Sequence, residues 1–296
     1  MDHDQNFKNL IVDYPREAVR FFAADEAEGV DERTQIISIR EEQLKERLGE
    51  RFRELDVPLL VEWPDGRREA LLFVLEEETE ARRFSIHRLA HYCLDLAELF
   101  GTERVVPVAI FLHQGQRPSE LLLGGDRQRY LAFRYLSSSL FDLDWQDYRD
   151  SDNLVARLNL PNMRYLDEDR VAVYAWAVRG LLALEPDPEK QLKYVQFVDI
   201  YAALSDAERE QYQRDYPEEN KAMVSFQTRF EQIGEQRGKE IGLQLGEATM
   251  LLRLLERKFG AVSDEQRRCI LAADAETLLG WLDRTLTAAD INEVLH

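Results

Sequence analysis

The sequence is poor in the features that define several large classes of protein. Only two of its 296 residues are cysteine, Cys93 and Cys269, and neither belongs to a CxxC pair. This argues against a disulfide framework and against a cysteine-based zinc site. Apolar runs such as that near 70–75 are far too short to cross a bilayer. No Gly-rich phosphate loop, nucleophile elbow or HExxH motif occurs.

Basic residues are outnumbered by acidic ones: the sequence has 38 Lys and Arg residues and 57 Asp and Glu residues, so its net charge is −19. A polyanion repels DNA phosphates over about 8 Å at physiological salt. Binding to DNA therefore requires a local basic surface, or metal ions that neutralise carboxylates at the contact. The first ten residues show no basic segment followed by an apolar one. We therefore expect no secretory signal, no membrane contact and a cytoplasmic protein.

The hydrophobic pattern predicts an α/β protein with a helical C-terminal half. The period indicates strands at 56–63 and 69–78, joined at a turn around Asp65-Gly66, and a buried strand at 105–113. Helices are predicted over 4–27, with a break at Pro15, over 38–54 and over 84–100. The last strand can lie parallel to the second hairpin strand through a helical crossover. We therefore predict a mixed sheet, an antiparallel hairpin plus a parallel strand, flanked by helices.

Four segments follow from the same reading. They are an α/β core over 1–150, whose part 116–150 is mixed and loop-rich, a helical extension over 151–230, a Gly-repeat segment over 231–246 and a small helical domain over 247–296. The repeat places glycine at 234, 238, 242 and 246 along one helix face, which indicates either a close helix contact or, as we favour, a soft helical linker. Ser263 and Thr287 are predicted N-caps of the last helices. Self-association through the C-terminal helices is a further expectation.

The acidic run Glu76-Glu77-Glu78 follows the second hairpin strand directly. If the hairpin loop has five residues, Trp63 faces Glu69 and Asp56 faces Glu76, with Glu78 on the same face. Two carboxylates in that arrangement suit a bound Mg²⁺. A loop of two or four residues would split the pair between the two faces of the sheet. The alternative is that a buried strand simply reaches water at this point.

Several stretches in this order resemble the Rpn family of recombination-promoting nucleases, within the PD-(D/E)XK nuclease superfamily. They are "HDQNFK" (3–8), the Asp56 hairpin, "FVLEEETEARRFSIHRLAHY" (73–92) and "LLRLLERKFG" (251–260). The resemblance covers nearly the whole chain. By position, Asp56 and Glu76 match the two family acids, and Arg88 and Tyr92 match a pair on the next helix. Glu78 departs from the pattern, since it stands where Gln or Lys is expected.

The resemblance implies a PD-(D/E)XK-like fold and a Mg²⁺-dependent DNA endonuclease associated with recombination or mobile DNA. Asp56, Glu76 and the main-chain carbonyl of Glu77 would hold Mg²⁺, with Mn²⁺ as a second suitable ion, and Glu78 would orient or deprotonate the attacking water. The residues implied in DNA binding are Arg82, Arg83, Arg88 and Tyr92, although Tyr92 could instead pack in the core. The alternative is a catalytically inactive nuclease-fold protein that acts as a binding or regulatory module through its helical C-terminal half.

Overall fold

The computed structural model describes residues 3–39, 57–76 and 84–295. The chain separates into two compact units, residues 1–221 and residues 222–296. The first unit is α/β, with a mixed five-stranded sheet, and the described part of the second unit is helical.

The sheet combines antiparallel and parallel pairing. The strands are β1 (Gln35–Ser38), β2 (Val57–Glu62), β3 (Arg68–Glu76), β4 (Val105–Phe111), β5 (Glu120–Gly124), β6 (Arg129–Arg134) and β7 (Leu136–Ser139). The five-stranded sheet has the order β1-β2-β3-β4-β7, and β5 and β6 form a separate hairpin. β1, β2 and β3 are antiparallel neighbours, whereas β3, β4 and β7 are parallel. The predicted hairpin and its parallel partner strand are confirmed.

The helices of the first unit are α1 (His3–Asp13), α2 (Pro15–Phe22), α3 (Ile86–Phe100), α4 (Trp145–Tyr148), α5 (Leu154–Leu158), α6 (Arg170–Leu184), α7 (Pro188–Ala202) and α8 (Asp206–Asp215). Then follow α9 (Pro217–Phe259), α10 (Asp264–Ala272), α11 (Ala275–Thr287) and α12 (Ile291–Leu295). Pro15 begins α2, as predicted, because proline is tolerated in the first turn of a helix. The Gly-repeat segment lies within α9, which is continuous.

Helix α3 connects β3 to β4 and makes their parallel pairing possible. The Ser85 side chain accepts a hydrogen bond from the Arg88 amide and caps the first turn, and Gly101 ends the helix at φ 59°. Apolar residues at helical spacing, including Leu89, Cys93 and Leu96, are buried in a cluster with residues of β3, β4 and β5. One face of the sheet is thereby covered next to the crossover.

The hairpin loop is shorter than the sequence predicts. The Trp63 amide donates to the Arg67 carbonyl at 3.0 Å, so three residues, 64–66, form the loop. Val61 pairs with Glu69, whereas the predicted register pairs Trp63 with Glu69, a difference of two residues. Asp65 stabilises the tight turn by accepting from the Arg67 amide at 3.0 Å and from its Nε at 2.8 Å. The five-residue loop, and the register that would place Asp56 opposite Glu76, are therefore wrong.

Three smaller predictions are also corrected. Ser38 ends a strand instead of opening a helix, and most of that predicted helix lies outside the described residues. The segment 116–150, predicted to be mixed and loop-rich, contains three strands. Thr287 is the last residue of α11, and the Asp290 side chain instead accepts from the amides that begin α12. The Ser263 capping box is confirmed.

Candidate functional site

The carboxyl ends of three parallel strands meet at one edge of the sheet. Glu76 at the end of β3 pairs with Phe111 at the end of β4, and Phe111 pairs with Ser139 at the end of β7. These three residues form one row across the strand ends. Open α/β sheets bind their ligands at the carboxyl ends of their parallel strands. The row therefore marks the edge where a site is expected.

The start of helix α3 lies against the same edge. The Phe84 ring, two residues before α3, lies 5.5 Å from the Phe111 ring and 5.1 Å from the Tyr135 ring, measured between centroids. The amide groups in the first turn of a helix carry partial positive charge, which favours anions nearby. Arg88 is exposed in that first turn and adds a full positive charge.

A groove of about 500 Å³ opens beside the end of β4. Among the residues that line it are Phe111, Gln114, Arg117, Ser137, Ser139 and Asp142. The hydroxyl oxygens of Ser137 and Ser139 lie 3.5 Å apart on β7. Because Phe111 belongs both to the groove wall and to the row that contains Glu76, the groove is adjacent to the end of β3.

Arg117 is held in place by the loop that follows β4. Its guanidinium carbon lies 4.0 Å from the centroid of the Phe111 ring, and its Nη2 donates to the His113 carbonyl at 2.8 Å. A Cβ atom built at Gly115 would lie only 3.4 Å from the guanidinium. The contacts of this guanidinium among the described residues are with the His113 and Gly115 carbonyls and the Phe111 ring. Arg117 is therefore a fixed cation whose charge no described side chain neutralises.

The structure places three of the predicted site residues. Glu76 is the last residue of β3, and Arg88 is exposed on α3. Tyr92 is 6% exposed and packs in the core between α3 and the sheet, the role that the sequence left open for it. The other predicted site residues lie outside the described residues; they are Asp56, Glu77, Glu78, Arg82 and Arg83.

Among the described residues near α3 there is neither a cluster of metal-ligating side chains nor an activated thiol. Within 3–39, 57–76 and 84–295, no three His, Cys, Asp or Glu side chains converge as metal ligands would. Burial raises the pKa of the Cys93 thiol to about 12, so this thiol stays protonated at neutral pH. Cys93 is a core residue of α3 and not a nucleophile.

Arg117, Ser137 and Ser139 were missed by the sequence reasoning. Ser137 and Ser139 lie in a polar edge strand that carries no hydrophobic alternation, and Arg117 lies in a loop. The usable signal was the position of Arg117, which follows the end of a buried strand by a few residues. Loops after parallel strands commonly carry ligand-binding side chains.

Comparisons with known proteins find no match to this chain among family models, curated proteins or solved structures. Among the helices of the described residues, none combines the length and apolar character needed to cross a membrane.

Proposed function

We propose that this protein is a Mg²⁺-dependent DNA endonuclease that cleaves at the carboxyl edge of the mixed sheet. The observation that carries the proposal is the position of Glu76. It ends the second strand of an antiparallel hairpin, and a helix then leads to a parallel strand whose end pairs with it. This order supports a PD-(D/E)XK-like core, in which an acid at that strand end binds the metal. The resemblance to the Rpn family adds the association with recombination or mobile DNA.

The proposed metal ligands are hard oxygen donors, which suit Mg²⁺ and also Mn²⁺. Asp56, Glu76 and the main-chain carbonyl of Glu77 would hold the ion. When bound, the ion lowers the pKa of a coordinated water and offsets charge on the phosphate. Glu78 would orient that water or accept its proton. The end of β3 fits this donor set because its last residue, Glu76, is an acid.

The basic residues near α3 would supply the local positive charge that the whole chain lacks. Arg88 is exposed at the start of the helix and would contact a DNA phosphate, together with Arg82 and Arg83. Tyr92 would act indirectly, because its buried ring fixes the helix that carries Arg88 against the sheet.

A catalytically inactive nuclease-fold protein is the second candidate, with binding through the helical C-terminal half. The observation in its favour is the apolar surface of the C-terminal unit. Large apolar side chains are exposed there; they are Leu245, Met250, Leu254, Leu271, Leu279 and Leu286. Such residues can contribute to an interface with a partner or with a second copy of the chain. The Glu78 carboxylate, in place of the expected Gln or Lys, also favours this candidate.

Cleavage of supercoiled plasmid separates the two candidates. We expect nicking in Mg²⁺ or Mn²⁺, no nicking in EDTA, and loss of nicking in Asp56→Ala and Glu76→Ala. Asp126→Ala is the matched control, because Asp126 is exposed in the turn at the far end of the β5–β6 hairpin. Cleavage that survives Glu76→Ala would contradict the site. If the wild type does not cleave plasmid but Glu78→Lys does, the protein is a weakened nuclease.

A further inference from the structure

The groove beside β4 has the donors of an anion site. A guanidinium carries five N–H groups, and Arg117 directs only two nitrogens to the carbonyls of His113 and Gly115, at 2.8 and 3.5 Å. The hydroxyl groups of Ser137 and Ser139 lie on the same groove wall. Planar guanidinium groups bind phosphate oxygens with two parallel hydrogen bonds, and hydroxyl groups add further donors.

A second groove shows why Arg117 stands out. This groove also measures about 500 Å³, and its lining includes Arg164 and Arg170. Arg170 lies 2.9 Å from the Asp167 carboxylate and Arg164 lies 3.4 Å from that of Asp144, so each already has a carboxylate partner. The Arg117 guanidinium is held instead by carbonyl groups and an aromatic ring, which fix its position without cancelling its charge.

We propose that the Arg117 groove binds a phosphodiester group of the DNA strand that reaches Glu76, an inference that rests on the proposed function. Phe111 lines the groove and its backbone pairs with Glu76, so the groove borders the strand next to β3, and neighbouring strands lie about 4.8 Å apart. One DNA strand can therefore extend along this edge and contact both. Arg117 is a DNA-positioning residue that acts next to the site of cleavage.

Asp142 at the groove sets which phosphate is accepted. Its exposed carboxylate lines the same groove and reduces the positive potential there. A phosphodiester carries one negative charge, whereas a phosphate monoester carries nearly two at neutral pH. The penalty for approaching Asp142 is therefore smaller for the diester. The groove favours a DNA backbone over free phosphate or a terminal phosphate.

DNA binding without cleavage tests this proposal separately from the nuclease. Fluorescence anisotropy of a labelled duplex in EDTA is measured at several salt concentrations. Arg117→Gln is expected to weaken binding about tenfold, as for loss of a charge-assisted hydrogen bond. It should also lower the slope of log Kd against log salt by about one. Arg127→Gln is the matched control, because Arg127 is exposed in the turn at the far end of the β5–β6 hairpin.

A second pair of variants protects the test against a folding defect in Arg117→Gln. Ser137 is exposed on the edge strand, so Ser137→Glu adds a repelling charge in the groove with little cost to the core. Gln128→Glu adds the same charge at the far hairpin turn. Asp142→Asn should tighten binding severalfold.

The proposal is overturned if the wild type does not bind DNA, or if both groove variants bind as their controls do. If the wild type does not cleave plasmid but these binding differences are observed, the nuclease proposal is overturned and the phosphate site remains.

Discussion

The ion pair between Glu69 and Arg104 offers a sharp test of how the sheet is aligned. Glu69 at the start of β3 is only 2% exposed, and its Oε2 lies 2.6 Å from Arg104 Nη2. Next to this pair, the Ala70 amide donates to the Arg104 carbonyl at 2.9 Å. Both contacts join the amino end of β3 to the chain that enters β4. They support the parallel register that places Glu76 beside Phe111 at the other end.

Arg104→Met removes the guanidinium and keeps most of the apolar stem. The Glu69 carboxylate then stays buried with no charge partner, and its Oε1 already lacks a hydrogen bond among the described residues. Breaking a buried ion pair in this way costs about 3–5 kcal/mol. Because Arg104 is 51% exposed, solvent already weakens the attraction, and we expect the lower value, about 3 kcal/mol.

The cost should depend on pH in a defined direction. Burial raises the pKa of Glu69 in the folded protein, although the Arg104 guanidinium opposes this rise. The folded state therefore holds a proton that the unfolded state releases, and stability falls as pH increases from the ordinary carboxyl range through the folded pKa. Loss of Arg104 raises this pKa further. The destabilisation by Arg104→Met should be smallest near pH 4, where an ordinary Glu carboxyl is about half protonated, and largest at neutral pH.

Urea unfolding followed by tryptophan fluorescence measures this effect. A Trp281→Phe background leaves Trp63, Trp145 and Trp176, which all lie within residues 1–221. Adding Glu69→Gln to Arg104→Met removes the unpaired charge and should restore most of the lost stability.

Arg134→Met provides the matched surface control. Arg134 is 80% exposed and its partner Glu120 is 38% exposed, so the expected cost is below about 1 kcal/mol. Equal stability of Arg104→Met and Arg134→Met, or a cost that does not vary with pH, would refute the reasoning.

Two further predictions concern helices. Gly180→Ala should destabilise the first unit by about 1–3 kcal/mol in urea unfolding, because a Cβ there would lie 2.6 Å from Nε of the buried Arg157. In the same assay, Gly246→Ala should stabilise α9 by up to about 1 kcal/mol, because a Cβ there would have no neighbour within 4 Å. Ser263→Ala should cost the second unit about 1 kcal/mol through loss of its capping box, whereas Thr287→Ala should change little because Thr287 caps no helix start. Equal effects within either pair would contradict the structural assignment.

The strand–helix–strand arrangement of β3, α3 and β4 was predictable because the hydrophobic periodicity of the sequence indicates each element. The apolar run that begins at Ala70 and the face that contains Leu89 and Leu96 specify a buried strand followed by an amphipathic helix. A parallel strand after such a crossover then follows from general topology rules.

The register was not predictable because side-chain contacts in the turn decide it. Asp65 binds the Arg67 amide and guanidinium, and the Arg67 guanidinium lies 5.0 Å from the Trp63 ring. These contacts close the turn at Trp63 and Arg67 instead of at Trp63 and Glu69. Turn type sets hairpin register, and the loop letters alone allowed several lengths.

The groove could not be foreseen from local sequence. Arg117 becomes a fixed cation only because the fold brings its guanidinium onto the ring of Phe111, six positions earlier, and beside the β7 serines. Strand β7 lacks the apolar alternation that identifies strands, since it lies at the sheet edge. Tyr92 shows the opposite case, in which the sequence allowed two roles and burial selects packing.

We propose that the carboxyl end of β3 holds a divalent metal ion. Calorimetric titration of the intact protein with Mn²⁺ tests it most directly. We predict a binding event in the wild type and a loss of affinity of at least about tenfold in Glu76→Gln. Asp126→Asn, which removes one negative charge in the exposed turn of the β5–β6 hairpin, should leave the affinity unchanged. Equal Mn²⁺ affinity in the wild type and Glu76→Gln would contradict the claim.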